Sequence, residues 1–327
     1  MSNREISIEN LEKEYPGDVL AVAGVSLHVD AGQIYGFLGP NGAGKSTTVK
    51  ILTTLSLPTA GKASVGGYDV VEEAGEVRRI AGVALQDVGL DPLMKSLELL
   101  TLQGRLFGAR RKSAQARAEE LLHLVRLEDA VDRQVGTYSG GMKRRLDLAM
   151  ALVHEPEILF LDEPTAGLDP ASRRDVWREV RRLNEQLGMT IFLTTQYLEE
   201  ADELADKISI IDDGKIVKSG SPAALKASLG KESLNLAFSE RTTAERANLL
   251  LQPLAERTQV DRMTVRVYME EVARAIPTII EQLHDANLDP VSITLTQPTL
   301  DDVFLQVTGS TLNNERTEAE IQEPVIA

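Results

Sequence analysis

Gly39-Pro40-Asn41-Gly42-Ala43-Gly44-Lys45-Ser46-Thr47 is the stretch of this sequence that decides the fold. It matches the pattern G-x-x-x-x-G-K-[ST], in which glycines let backbone N–H groups approach phosphate oxygens at the start of a helix. An apolar run from Ile34 to Leu38 precedes it, and the segment from Thr47 to Leu55 that follows has helical character. Strand, glycine-rich loop and helix in this order predict a phosphate-binding loop in an α/β fold.

The residues of this loop have distinct expected roles in holding a nucleotide. The Lys45 ammonium would reach the outer phosphates, and the Ser46 hydroxyl would ligate Mg²⁺. The predicted nucleotide-binding residues of the loop are Gly39, Pro40, Asn41, Gly42, Ala43, Gly44, Lys45, Ser46 and Thr47.

A second apolar run, Ile158-Leu159-Phe160-Leu161, ends at two carboxylates, Asp162 and Glu163. We expect Asp162 to face the magnesium and Glu163 to act as general base on a water in line with the γ-phosphate. Two acids after a strand often form only a solvated strand end. The combination with the phosphate loop is what predicts a nucleotide-hydrolysing site.

Apolar spacing predicts the layers around this site. Alternation before residue 30 predicts strands of an antiparallel flank, and the runs from Thr190 to Thr194 and from Ile208 to Ile211 predict further buried strands. Between about Pro92 and Pro156 the spacing is helical, which predicts a helical subdomain inserted at about residues 87–156. The first domain is predicted to cover residues 1–228.

The pattern changes after residue 228. Three alternating segments, separated by amphipathic helices at about 243–255 and 271–287, predict a small α+β domain of βαβαβ-like order over residues 229–309. Residues 310–327 are polar and acidic and lack periodicity, so we predict a disordered tail.

Composition excludes several functional classes. The 327 residues include no cysteine, which excludes disulfides, iron–sulfur clusters, Cys-ligated zinc and a thiol nucleophile, and fits a reducing cytosol. The net charge of -15 argues against nucleic acid as a partner. No apolar run approaches the ~18 residues that cross a bilayer, so any membrane role is expected to come through a partner.

Two further motifs carry a family resemblance. Tyr138-Ser139-Gly140-Gly141-Met142, followed by Lys143-Arg144-Arg145, precedes Leu161-Asp162-Glu163-Pro164-Thr165-Ala166-Gly167-Leu168-Asp169-Pro170. These stretches resemble the signature, Walker B and D-loop of ABC transporter ATPase subunits, and they occur in that family's order over about residues 4–225. The resemblance implies a phosphate-loop NTPase of the ABC ATPase type, with ATP and Mg²⁺ as cofactors.

The resemblance also implies roles for residues outside the loop. Tyr15 would stack on adenine with Val22 beside it, and Gln86 would be the Q-loop residue that touches magnesium. The signature of one subunit faces the phosphate loop of another in this family, which implies a homodimer around ATP. The residues involved would be Ser139, Gly140 and Gly141 of the signature and Asp169 of the D-loop.

One position departs from the family pattern. After Thr190–Thr195 most members have a histidine that contacts the γ-phosphate, whereas this chain has Gln196. A glutamine amide can donate to the γ-phosphate and accept from water, so we expect Gln196 to act in catalysis, with slow turnover as one outcome. Three features resemble the daunorubicin-resistance type of drug exporter: Gln196 in place of the histidine, Tyr138 at the start of the signature, and the closing segment from Pro298 to Gly309.

The predicted function is therefore ATP hydrolysis that powers export of hydrophobic drugs or related lipids and polyketides through a separate membrane permease. Two readings of the segment from Gln86 to Gly108 stay open: a groove that receives a helix of the permease, and ordinary core packing of its apolar residues. The subunit would lie in the cytoplasm on the inner face of the membrane. Two alternatives stay open: an ATP-gated binding or immunity module with little hydrolysis, and an exporter of lipid, polysaccharide or sodium.

Overall fold

The computed structural model describes residues 4–86, 89–229, 233–269 and 272–309. Contacts divide the chain into a larger unit that ends at Gly220 and a smaller unit that begins at Ser221. The predicted tail, residues 310–327, and the first residues of the predicted helical subdomain, 87–88, lie outside the described residues. No helix in the described ranges combines the length and the apolar character needed to cross a bilayer.

The larger unit alternates strands and helices after an all-β start. Its elements are β1 (Ile6–Tyr15), β2 (Val19–Val29), β3 (Ile34–Leu38), α1 (Lys45–Leu52), β4 (Ala60–Val65), β5 (Tyr68–Asp69), α2 (Ala74–Ile80), β6 (Ala81–Ala84), α3 (Ser96–Leu106), α4 (Arg111–Leu124), α5 (Gly140–Ala151), β7 (Ile158–Asp162), α6 (Pro170–Leu187), β8 (Thr190–Thr195), α7 (Leu198–Leu204), β9 (Lys207–Asp212) and β10 (Lys215–Gly220).

The site is positioned by a largely parallel sheet with the strand order β10-β9-β3-β8-β7-β6. Strands β3, β7 and β8 are buried along their whole length, which explains their continuous apolar sequence. Leu38 pairs with Thr195, and Asp162 pairs with Thr194, so β3, β8 and β7 end at the same edge. The loops that follow these strands therefore meet there.

Aromatic contacts tie these three strands together below the edge. The Phe192 ring of β8 stacks on Tyr35 of β3 with ring centroids 5.7 Å apart. The same ring lies 5.5 Å from the Phe37 ring and 5.9 Å from the Phe160 ring of β7. These contacts fix the spacing of the strand ends because all four side chains are fully or almost fully buried.

The antiparallel flank and the helical subdomain are both confirmed. A second sheet has the order β2-β1-β4-β5 with antiparallel pairing, and Ile6 and Ile8 of β1 are buried while Glu9 and Asn10 are exposed. Helices α3, α4 and α5 lie between β6 and β7, and their buried residues join one core cluster that includes Leu100, Leu121 and Leu146.

The smaller unit is α+β, as predicted, but its strand order differs from the βαβαβ-like prediction. Its elements are α8 (Pro222–Ala227), β11 (Ser233–Ala237), α9 (Arg241–Leu251), β12 (Arg257–Asp261), β13 (Thr264–Tyr268), α10 (Val272–Asp285), β14 (Ser292–Thr296) and α11 (Leu300–Thr308). The sheet order is β12-β13-β11-β14, with every pair antiparallel. Strand β12 was missed because its sequence, RTQVD, has one apolar residue and is only half-buried throughout.

The division between the two units lies before α8, whereas the sequence suggested a division at residue 228. Helix α8 contacts α11 within the smaller unit. Helix α11 begins at a capping box, in which the Thr299 hydroxyl accepts from the Asp302 backbone and Asp302 accepts from the Thr299 backbone. Its apolar residues Leu300, Val303 and Phe304 are buried.

Candidate nucleotide site

The loop after β3 can be built only from glycine at two positions. A Cβ on Gly39 would lie 2.4 Å from the Ile211 carbonyl oxygen, and one on Gly44 would lie 2.2 Å from the Ala21 carbonyl oxygen. Gly44 also has φ 103, in the left-handed region, at the N-cap of α1. These close approaches pack the loop against the backbones of β9 and β2. The loop leads directly into α1, and the free N–H groups at the N-terminus of that helix favour an anion.

Lys45 is buried at the start of α1, with 4% of its surface exposed. Its ammonium donates to the carbonyl oxygens of Gly39 at 2.7 Å and Pro40 at 2.9 Å, and lies 3.3 Å from a carboxylate oxygen of Glu163. Burial lowers the pKa of Lys45, and the charges of Glu163 and Asp162 partly offset that effect. The ammonium is therefore held next to the base predicted for hydrolysis.

Asp162 ends β7 and faces the start of α1. The Ser46 hydroxyl donates to Asp162 Oδ1 at 3.1 Å, and the Thr194 hydroxyl of β8 donates to the same oxygen. Hydroxyl and carboxylate oxygens in contact are the ligand types that Mg²⁺ prefers, so these residues fit a magnesium ion. Asp162 itself is almost fully buried, with 3% of its surface exposed.

Glu163 follows directly and adopts φ 47, which is uncommon for a residue with a side chain. Its backbone N–H donates to the carbonyl and hydroxyl oxygens of Thr194, both at 3.1 Å. The side chain, 7% exposed, points at Lys45. The backbone turn after β7 thus separates the two carboxylates, one toward Ser46 and one toward the Lys45 ammonium.

A cavity of about 190 Å³ joins these groups. It brings together the phosphate loop, the predicted base and the exposed Gln86 that follows β6, and its lining residues are Asn41, Gly42, Gly44, Lys45, Ser46, Thr47, Gln86 and Glu163. Residues of three separate segments therefore meet at the edge of the sheet.

Comparisons with known proteins agree with this geometry. Residues 22–166 match the family described as ABC transporter. The chain is 44% identical over 311 residues to a daunorubicin resistance ATP-binding protein, DrrA3, of Streptomyces coeruleorubidus, covering 94% of this chain and 97% of that protein. The daunorubicin/doxorubicin resistance ATP-binding protein DrrA of Streptomyces peucetius is 42% identical over 327 residues, covering 99% of this chain and 98% of that protein.

This chain belongs to the ABC transporter ATP-binding subunits of the daunorubicin-resistance type. It is also 40% identical to Nod factor export ATP-binding protein I of Burkholderia lata, over 93% of this chain and 97% of that protein. Among solved structures, the dimeric, ADP- and phosphate-bound ATP-binding cassette MJ0796 matches with a TM-score of 0.60 and 26% identity, covering 66% of this chain and 98% of that chain. The chain is accordingly an ATPase that binds ATP.

The ABC signature lies at the N-terminus of α5. The Ser139 hydroxyl accepts from the Met142 backbone as N-cap, and Ser139 and Gly140 are exposed. Tyr138 is buried, and its hydroxyl donates to the Ala130 carbonyl at 2.8 Å. No signature residue lines the cavity of the phosphate loop. Within one chain, the phosphate loop and the signature therefore precede two different helix N-termini, at α1 and at α5.

The other predicted ligands have different surroundings. Asp169 caps α6 by accepting from the Ala171 and Ser172 backbones, and bonds to the Ser172 hydroxyl and backbone lower its pKa. Tyr15 is 37% exposed at the end of β1, with the Lys13 ammonium 5.1 Å from its ring centroid. Val22 is fully buried in the core, and its predicted position beside adenine stays a prediction.

Gln196 is half-buried just after β8, the strand between β3 and β7. It does not line the cavity, and its catalytic role stays a prediction. The topology nevertheless places it between the phosphate loop that follows β3 and Glu163 that follows β7.

The sequence did not single out three polar residues that hold the site together. Thr194 bonds both Asp162 and Glu163. Buried Glu200 of α7 accepts from the Thr165 hydroxyl at 3.0 Å and from the Trp177 indole at 2.9 Å, and burial raises its pKa. The third, Arg144, lies in α5 two residues after Met142, the last residue of the signature. None has a periodic sequence signal, because each contact joins residues that are distant in the chain.

Proposed function

We propose that the chain is the ATP-hydrolysing motor of a membrane exporter for hydrophobic drugs or related lipids and polyketides. The cavity that joins the phosphate loop, Glu163 and Gln86 is the observation that carries the ATPase part of this proposal. The cargo is supported by the relatives that are named for daunorubicin resistance. The Nod factor export relative supports a second candidate, export of a different cargo by the same motor.

The contacts of Lys45 suggest how nucleotide binding prepares the reaction. The ammonium is bonded to two loop carbonyls and paired with Glu163. Phosphate oxygens entering the loop compete for the ammonium because they carry more charge than a carbonyl. Glu163 is then free to accept a proton from the attacking water, and the Gln196 amide orients that water.

Magnesium is part of the proposed site. Ser46 and Asp162 would hold the ion, and Gln86 would approach it from the Q-loop side. The ion supplies charge neutralisation for the phosphates. The chain itself contributes the loop N–H groups, Lys45, the base and the oriented amide.

We also propose a homodimer and a permease as partners. The cavity volume of about 190 Å³ is below the roughly 300 Å³ at which complete ligand pockets begin, as expected if the signature of a second copy closes it. Exposed apolar side chains on and beside α3 support a permease contact there, and they are Leu93, Leu102, Leu106 and Phe107. Such a contact would hold the chain on the cytoplasmic face of the membrane.

The test is phosphate release from purified protein with Mg-ATP, with light scattering to follow dimerisation. Glu163→Gln should reduce the rate by about 10²- to 10⁴-fold, because it removes the general base. It should also trap an ATP-bound dimer.

Glu155→Gln is the matched control, since Glu155 also has positive φ but lies on the surface away from the cavity. The control should hydrolyse at the native rate. A native rate in Glu163→Gln would contradict the assignment of Glu163 as base.

A further inference from the structure

Arg144 is a buried cation in the helix that follows the signature. It belongs to α5, and 4% of its surface is exposed. Burial lowers its pKa, while Asp147, one turn along the helix, pairs with the guanidinium at 2.9 Å. A buried charge is costly unless it is paired and fully hydrogen-bonded. The remaining hydrogen bonds of the guanidinium therefore decide whether Arg144 can be tolerated at this buried position.

Those contacts are three backbone carbonyls from two other segments. The guanidinium donates to the Asp162 carbonyl at 3.1 Å, to the Pro164 carbonyl at 2.8 Å and to the Leu85 carbonyl at 2.6 Å. The planar guanidinium has five N–H donors in a fixed fork. It therefore imposes one arrangement on all three peptide groups.

Two of these peptide groups bracket Glu163. The Asp162 carbonyl belongs to the peptide before it, and the N–H of that same peptide donates to Thr194. The Pro164 carbonyl belongs to the peptide group between Pro164 and Thr165, which follows Glu163 by one residue. Glu163 itself has φ 47, a conformation that persists only where the surroundings hold it. Arg144 and Thr194 provide that hold from opposite sides.

The third carbonyl precedes Gln86. The Leu85 carbonyl and the Gln86 nitrogen form one peptide group, and the Gln86 side chain lines the same cavity as Glu163. One side chain of α5 thus fixes the backbone at both Gln86 and Glu163. Arg144 itself does not line the cavity, so it acts through these residues.

We propose that Arg144 is a positioning residue for ATP hydrolysis, whose guanidinium sets the orientation of Glu163 and links it to the Q-loop residue Gln86. This inference rests on the proposed role of Glu163 as base. It concerns the chemical step: ATP binding by Lys45 and the loop does not need the guanidinium, whereas the alignment of the base does.

The experiment compares Arg144→Lys with Arg145→Lys in the full chain. Lysine keeps the charge beside Asp147 but cannot reproduce the fork. Arg145, the next residue of α5, donates to the carbonyls of Val125 and Arg126, which lie away from the cavity, and is the matched control.

We expect Arg144→Lys to lower kcat by about 10- to 100-fold while ATP affinity changes less than about threefold. Arg145→Lys should stay within about twofold in both quantities. If Arg144→Lys fails to fold in circular dichroism and thermal unfolding, the pair variant Arg144→Gln/Asp147→Asn, which leaves no buried carboxylate unpaired, takes its place with the same expected split.

A double-mutant cycle tests whether Arg144 acts through Glu163. In single-turnover hydrolysis, adding Arg144→Lys to Glu163→Gln should cause little further loss, because the base is already absent. Three outcomes would each overturn the inference. The first is an equal loss of rate when Arg144→Lys is added to the native chain and to Glu163→Gln. The others are a native kcat in folded Arg144→Lys, and parallel losses of kcat and ATP affinity in that variant. Failure of the proposed function is seen separately, as a native rate in Glu163→Gln alone.

Discussion

Gln196 and Glu163 follow neighbouring strands, β8 and β7, and differ in what each can do for a phosphate reaction. The carboxylate can take a proton, whereas the amide can only donate and accept hydrogen bonds. A histidine at position 196 could in addition carry a positive charge next to the γ-phosphate. If Gln196 contacts the γ-phosphate as predicted, it can orient a water there but adds no positive charge.

We predict that Gln196→Ala lowers the rate of phosphate release by about 10²- to 10³-fold, the usual cost of losing one well-placed donor. Gln196→His should keep or increase the rate, since imidazole also donates to the γ-phosphate. Steady-state hydrolysis with Mg-ATP measures both. An unchanged rate in Gln196→Ala would mean that this amide does not contact the reacting groups.

Asp147 shows how burial and pairing compete at a single residue. Burial raises the pKa of its carboxyl from 3.8 to about 6, and the Arg144 charge offsets only part of that effect. The folded chain therefore holds a proton on Asp147 at pH values where the unfolded chain has released it. The stability that this proton contributes is full below about pH 4 and is lost as pH rises through about 6.

Asp147→Asn should remove this pH dependence. Relative to the native chain, the variant should become more stable by up to about 3 kcal/mol as the pH rises from 4 to 7.5. This value follows from the rise of the Asp147 pKa from 3.8 to about 6, at about 1.4 kcal/mol per pKa unit. Urea unfolding at several pH values measures the shift. Parallel curves for the two proteins would show that Asp147 titrates normally in the folded chain.

Among the elements, α10 carries a local defect in an otherwise strongly amphipathic sequence. Pro277 lies inside this helix, where it cannot donate to the carbonyl four residues earlier. Its side chain is exposed, while Ile279 and Leu283 on the other face are buried in the core of the smaller unit. Packing of that face therefore outweighs the helix-breaking tendency of the proline.

We predict that Pro277→Ala stabilises the chain by about 1–3 kcal/mol, because alanine restores the missing donor and loses no buried contact. Thr278→Ala, the neighbouring exposed position, is the control and should change stability by less than about 0.5 kcal/mol. Chemical denaturation monitored by circular dichroism measures both. No gain in Pro277→Ala would indicate that the proline bend is needed for packing.

At the scale of the whole molecule, the phosphate loop and the signature are separate surfaces of the larger unit. The cavity at Lys45 contains no signature residue, and Ser139 is exposed at the start of α5. If two copies combine their surfaces, each ATP is held by the loop of one copy and the signature of the other. Mixing of variants can test this arrangement without a structure of the dimer.

We predict that Lys45→Ala and Ser139→Arg are each inactive alone but regain hydrolysis when mixed. In an equal mixture about half of the dimers are mixed, and each has one intact site, so about a quarter of the native rate is the upper limit for independent sites. Phosphate release before and after mixing is the measurement. No recovery, despite mixed dimers shown by differential tagging, would argue that loop and signature of one chain act together.

Much of the site was predictable because its motifs are local. The phosphate loop is a contiguous motif that can be read from neighbouring residues, and the acids Asp162 and Glu163 follow a fully apolar strand. The close approaches of Gly39 to Ile211 and of Gly44 to Ala21, which exclude a Cβ there, are tertiary contacts. The antiparallel flank and the helical subdomain also follow from the apolar period. Strand β12 was not predictable, because its five residues have no such period and its pairing with β13 cannot be read from its own sequence.

Sequence alone is enough to recognise the phosphate loop, the acid pair, the signature and the α/β class, because each depends on neighbouring residues and on the period of apolar side chains. Three features become visible only in the folded chain: α8 belongs with the smaller unit, Thr194 bonds both Asp162 and Glu163, and Arg144 joins the backbones of Leu85, Asp162 and Pro164. Such contacts form between segments that sheet pairing brings together, and a buried donor bonds to the carbonyls that the packed strands present to it.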